Sequence, residues 1–119
     1  MRNTLVDAGP LIALFDADDA HHGEVMRFLE GFRSRLHTTW PVLTEAAHML
    51  SFSIRAQEGL LAWVMRNGVQ LFPLAAAHLP RLLELMRKYA DLPLDLADGS
   101  LLVAAEQIGT LDILTVDSD

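Results

Sequence analysis

Short apolar runs alternate along this chain with longer segments in which apolar residues recur at helical spacing. Residues 4–6 form a brief apolar run that ends at Asp7, and the turn signal Gly9-Pro10 follows, so a strand leads into a helix start. Over 20–35, Val25, Phe28, Leu29 and Phe32 fall at helical spacing. Residues 36–39 read as a second strand, after which Pro41 suits the first position of a helix running to about Arg55. A further helical piece, 58–67, stops at Asn67-Gly68. Residues 69–72 read as a strand, and 75–89 as a helix with Leu79, Leu82, Leu83 and Met86 on its apolar side. The pattern closes with a helix over 95–108, N-capped by Asp95 and stopped by Gly109, and a strand over 113–116 ending at Asp117. Strands alternating with helices predict a parallel sheet covered on both faces. The expected fold is a single three-layer α/β/α domain over residues 1–119, without repeats, linkers or low-complexity stretches.

Composition narrows the chemistry. Apolar residues make up 51% of the chain, ample for a core and against disorder. The absence of cysteine removes disulfides, thiolate metal sites and thiol nucleophiles, and fits a reducing cytoplasm. Apolar runs such as 10–15 fall far short of the ~20 residues that span a bilayer. The N-terminus has no basic region followed by a long apolar stretch, so no signal peptide is expected. A net charge of −7 argues, as a sum, against a nucleic-acid partner. Its distribution weakens the objection: all basic residues but Lys88 are Arg, suited to bidentate phosphate contact, and acids that hold a cation have their charge cancelled locally.

Four acids stand where acids are costly or well aimed. Two strands end in aspartate, Leu5-Val6-Asp7 and Leu114-Thr115-Val116-Asp117. Ligands of open α/β sheets bind beyond the carboxyl ends of the strands, although a single strand-end Asp also simply opens a turn. Asp98 shares its helix stripe with Leu101, Leu102 and Ala105, and a carboxylate there costs stability unless paired or metal-bound. A favourable helix N-terminus explains Asp95 well and Asp98 only partly. Glu45 shares a stripe with Val42, Met49 and Phe52, which places it facing inward or along the rim of a site, or flanking the core with its head in water. Taken together, these carboxylates make a hard oxygen site suited to Mg²⁺ or Mn²⁺, ions that activate water and steady charge on a phosphate being cut.

With those residues placed, the sequence resembles the PIN-domain family, of the VapC toxin type. Leu5-Val6-Asp7-Ala8-Gly9-Pro10-Leu11 is similar to its opening motif and Pro41-Val42-Leu43-Thr44-Glu45 to its central glutamate helix. Residues 89–98, from Tyr89 to Asp98, resemble the third motif, and Leu114-Thr115-Val116-Asp117 the fourth. The match spans nearly the whole chain in the right order. The resemblance implies Asp7, Glu45, Asp98 and Asp117 as metal ligands, Asp95 and Asp119 as second-tier acids, and Thr115 as an orienting residue. It further implies a Mg²⁺- or Mn²⁺-dependent endoribonuclease, a cognate antitoxin as partner, and a homodimer. Three positions depart from the family pattern. Gly99 stands where Ala is usual, Ala8 replaces a common Ser or Thr, and the chain ends at Asp119 where relatives continue, so a shortened form is expected.

Other residues carry less. His21, His22, His37, His48 and His78 lack the i,i+4 spacing of a helical zinc pair; Asp19 and His22 match an Asp and a His found in relatives, but a surface role is the simpler reading. Trp40 and Trp63 lie in apolar segments and read as core or dimer surface, and Arg27, Arg33 and Arg35 as a solvated face that an RNA could meet. Two other functions fit the residues less well. An aspartyl-phosphate domain using Asp7 would want a second Asp at position 9, which is Gly, or a site Lys, and Lys88 is the only lysine. A non-catalytic PIN-like scaffold is disfavoured by the presence of all four acids.

Overall fold

A computed structural model describes residues 2–92 and 94–116. The elements follow in the order β1 (Asn3–Val6), α1 (Ala8–Phe15), α2 (His22–Glu30), β2 (Arg35–Thr38), α3 (Trp40–Met49), α4 (Ile54–Met65) and β3 (Gln70–Leu71). A single 3-10 turn, Ala76–His78, then leads into α5 (Leu79–Lys88), α6 (Leu96–Ile108) and β4 (Ile113–Leu114). All strand pairs are parallel, in the order β3-β2-β1-β4. Asn3 stands opposite Arg35, and Val6 opposite Leu114. Successive strand residues point to opposite faces, and Thr4, Leu5 and Val6 are all buried, so both faces of β1 are covered. The three-layer α/β expectation is met.

Sequence order and spatial order part company after β3. The chain winds outward through β2 to β3, then crosses back by α5 and α6 to place β4 on the far side of β1. That reversal opens a crevice beyond the carboxyl end of β1. Helix α6 is the central helix: Ala97, Gly99, Ser100, Leu101, Val103, Ala104 and Ala105 are buried around much of its girth. It closes on Gly109, whose φ of 82° is the left-handed conformation a residue with a Cβ resists, as the sequence indicated.

Several boundaries differ from the sequence reading, each for a local reason. The helix expected from Pro41 to about Arg55 breaks after Met49, and the next begins at Ile54 rather than 58. Ser53 caps α4 by accepting the Ala56 N–H at 3.2 Å, and serine favours such a cap over a helix interior. Helix α2 begins only at His22, because Asp16 and Asp19 accept the N–H groups of Asp18 and His21 in tight turns. Helix α5 starts late, behind a 3-10 turn in which His78 Nδ1 accepts the Ala75 N–H. Its core side is Leu82 and Leu85; Leu79 and Leu83, expected inside, are exposed. Strand β4 ends at Leu114, two residues earlier than expected.

Candidate active site

The acid cluster is built by backbone geometry first. Asp7 follows the last residue of β1 and its backbone N–H donates to Leu114 O at 3.0 Å, which ties it to β4. Its Oδ1 accepts the Ala8 N–H at 2.8 Å, capping α1, so one carboxylate oxygen satisfies the helix end and Oδ2 remains for a ligand. Gly9 lets this turn sit close to the end of the sheet, since a Cβ there would stand 2.6 Å from Val116 Cγ2. At the head of α6, Asp95 Oδ1 accepts the Asp98 N–H at 2.8 Å while Asp98 Oδ2 faces the Asp95 N–H at 3.4 Å, a reciprocal capping box.

Three hydroxyls that the sequence reading passed over hold these elements in register. Thr38 Oγ1 donates to Val6 O at 3.0 Å, joining the end of β2 to the residue before Asp7. Thr39, the residue just before α3, lies 2.6 Å from Ser100 through its Oγ1, and both side chains are wholly buried. Ser100 Oγ donates in turn to Ala97 O at 2.7 Å. The helix that carries Glu45 is thereby fastened to the helix turn that carries Asp98. Ser100, the one polar side chain in the run 99–105 of α6, was the available signal, since a hydroxyl in such a place is bonded when buried; Thr38 and Thr39, after His37, gave no comparable sign.

Glu45 lies on the rim and not in the core. Val42, Leu43, Ala46 and Leu50 form the buried side of α3, whereas Met49 and Phe52, expected to share a buried stripe with Glu45, are 56% and 67% exposed. Asp7 and Asp98 are half-buried, and Glu45 and Asp95 exposed. The four share one field. Burial pushes the Glu45 carboxyl above its ordinary range, and Asp95, Asp7 and Asp98 push it further. Asp98 is likewise raised by burial and by the charges of Asp95 and Asp7, against the lowering effect of its backbone hydrogen bond. No cationic side chain figures in either shift.

Such a donor set fits a hard divalent cation: every donor is a carboxylate oxygen, and mutual repulsion of this kind is what a cation relieves. Among the described residues, no three carboxylates already stand close enough together to hold an ion. Asp117 and Asp119, the remaining expected acids, lie outside the described residues. Thr115 is exposed, and among the described residues it makes no side-chain hydrogen bond that would orient the fourth motif. His22 binds Ala13 O at 2.7 Å through Nδ1 and Asp19 caps a turn, so both serve local structure. Trp63 tilts against Phe15 at 5.7 Å between ring centroids, while Trp40 is 58% exposed.

Fold and site together define a class: a four-stranded parallel α/β domain that gathers carboxylates at the open carboxyl edge of its sheet, beside the strand-order reversal. The model of the PIN domain family matches residues 4–119, and the chain belongs to that family. It is similar to Ribonuclease VapC26 of Mycobacterium tuberculosis (strain ATCC 25618 / H37Rv), with 24% identity over 115 residues covering 95% of this chain and 85% of that protein. It also superposes on the crystal structure of Mycobacterium tuberculosis VapC20, described as a Sarcin-Ricin loop cleaving toxin. There the TM-score is 0.86 at 20% identity, covering 98% of this chain and 91% of the other, a likeness of fold.

Proposed function

We propose that this chain, acting as one PIN domain over residues 1–119, is a metal-dependent endoribonuclease, the toxin of a toxin–antitoxin pair. The observation that carries the reading is the shared field of Asp7, Glu45, Asp95 and Asp98 at the carboxyl edge of a PIN-family sheet. The names of its ribonuclease and toxin relatives point the same way. Mg²⁺ or Mn²⁺ held by Asp7, Glu45, Asp98 and Asp117, with Asp95 and Asp119 as outer acids, would supply an activated water and charge neutralisation at the phosphate. The chain's own contribution is placement. The Asp7 cap, the Asp95–Asp98 box and the Thr39–Ser100 pair present carboxylate oxygens from three separate elements toward one edge. The open rim, with Glu45 and Asp95 exposed, suits a polymer that lies across it better than a small molecule that must be enclosed.

In the same reading the protein works in the cytoplasm, and no helix among the described residues is long and apolar enough to cross a membrane. A cognate antitoxin carrying Arg or Lys would pair with the same carboxylates and silence the site. Exposed Met49, Phe52 and Ile54, around the turn between α3 and α4, support a contact between two copies as a homodimer. Incubation with a circular RNA tests the activity. Linear product that forms with Mn²⁺ or Mg²⁺ and disappears with chelator is expected from an endonuclease. An intact circle with metal present, under conditions where the protein is folded, supports the non-catalytic scaffold instead.

A further inference from the structure

At the other end of the sheet from the acids, the strands begin among arginines and aromatic rings. Arg2 precedes β1, Arg33 lies in the loop entering β2, and Arg35 is the first residue of β2. Two neighbouring hollows open there. One of about 550 Å³ is lined by Arg2, Phe28, Phe32 and Arg33. The other, of about 280 Å³, is lined by Phe32, Arg35, Trp63, Asn67 and Gln70. Phe32 and Ser34 border both.

The surface is held and not merely exposed. Arg35 N–H donates to Arg2 O at 3.0 Å and Ser34 Oγ bonds the same carbonyl, so the loop is pinned to β1. Phe28 tilts against Phe32 at 5.3 Å and is nonetheless 45% exposed. Arg2 pairs with Asp112 at 2.8 Å. Among the described residues neither Arg33 nor Arg35 has a carboxylate within ion-pair distance, and Glu30, the nearest acid along the chain, bridges to neither. The charge of Arg35 is felt nearby: His37 is lowered below its ordinary range by burial and then by Arg35.

From this surface we infer a second RNA-holding site, in which Arg33 and Arg35 grip phosphates of a single-stranded or looped segment and a base stacks on Phe28. The inference rests on the ribonuclease reading above. Charge complementarity selects the occupant: a chain of net charge −7 whose candidate site is itself a set of carboxylates needs cations elsewhere to retain a polyanion, and exposed rings beside guanidiniums suit bases and phosphates together. The four residues of β1 span ~13 Å at ~3.3 Å each. At ~3.4 Å per stacked nucleotide, the gripped segment therefore lies about four or more nucleotides from the bond being cut.

The test uses the full chain with Asp7→Asn to block cleavage, and RNA binding is measured against salt concentration. Losing two single-strand phosphate contacts through Arg33→Ala plus Arg35→Ala should flatten the slope of log affinity against log salt by about 1.4. Phe28→Ala should weaken binding by roughly 5- to 150-fold, the range for one stacked base. In the active protein, the Arg33→Ala/Arg35→Ala variant should raise KM for a long looped RNA and leave cleavage of a trinucleotide unchanged. Arg35→Lys, keeping the charge, should restore most of the salt slope, which separates a lost contact from a lost fold. An unchanged slope in a protein that still cuts RNA overturns the second site and leaves the ribonuclease reading standing. Weakened antitoxin binding with RNA binding intact would overturn it in favour of a protein partner. If the parent protein neither cuts nor binds RNA, the ribonuclease reading itself fails.

Discussion

The buried hydroxyl pair between Thr39 and Ser100 makes an asymmetric prediction. Each hydroxyl has one proton to give. Ser100 Oγ gives its proton to Ala97 O at 2.7 Å, so across the 2.6 Å contact the donor must be Thr39 Oγ1. Ser100→Ala therefore leaves the Thr39 O–H buried without an acceptor, a cost of about 1–3 kcal/mol. Thr39→Val removes that donor at nearly constant volume, and Ser100 keeps its bond to Ala97. The cost there is an ordinary net hydrogen bond, about 0.5–1.5 kcal/mol. The double variant should be less destabilised than the sum of the singles, because once the donor is gone Ser100→Ala orphans nothing. For a domain of this size each kcal/mol should move Tm by roughly 4 °C. Urea denaturation of the four proteins closes the cycle. If Thr39→Val costs as much as Ser100→Ala, or the two effects simply add, the assigned direction of the bond is wrong. The same variants should lose activity beyond their stability loss, since the pair fastens the elements that carry Glu45 and Asp98.

Further outcomes follow from the same geometry. Glu45 and Asp98 have raised folded pKa values, so the folded state holds more protons than the unfolded chain. Stability from this source is fully present below the ordinary values of 4.5 and 3.8 and is lost as pH rises through the raised ones, so metal-free urea midpoints should fall across that window and recover with Mn²⁺. Asp7→Asn and Glu45→Gln should each lower the RNA-cleavage rate by roughly 10²-fold or more, as for loss of a group stabilising transition-state charge, with Tm nearly unchanged. Asp95→Ala removes the α6 cap and should cost about 0.5–2 kcal/mol, read by calorimetry. Gly99→Ala would place a methyl 2.6 Å from Leu82 Cδ1; the packing strain of about 1–3 kcal/mol should exceed the helix gain of ~1 kcal/mol, and Leu82→Val should recover most of it.

Much of this architecture could be read along the chain because its signals are local. Asp95 before an apolar stripe and Gly109 after it marked both ends of α6, and the run ending at Asp7 marked β1. Where the reading slipped, the deciding interaction was either a side chain capping a backbone group or a contact remote in sequence. Ser53 drew the start of the second expected helix back to Ile54 and left the first to end at Met49, and Phe52 sat on the expected stripe only while that first helix was taken to run on to Arg55. The Thr39–Ser100 pair spans 61 residues and leaves no periodic trace, so its part in arranging the acids emerges only from the fold. The same holds for Arg33 and Arg35, read as a solvated face until the loop entering β2 placed them beside Phe28 and Phe32.

The central claim is that these carboxylates act as a metal-holding edge, and metal-linked stability reads it most directly. Melting curves of chelator-stripped protein and of Asp98→Asn, each with increasing Mn²⁺, compare the site with and without one of its charges. The wild type should gain stability with the logarithm of Mn²⁺ concentration, at 100 times Kd by about 2.7 kcal/mol. The apo variant should melt no lower than apo wild type, having shed a repelling charge and kept an acceptor for the Asp95 N–H, and Mn²⁺ should stabilise it far less. Equal stabilisation of the two proteins, or an Asp98→Asn apo form that melts well below the wild type, would contradict the claim and leave Asp98 as a structural cap.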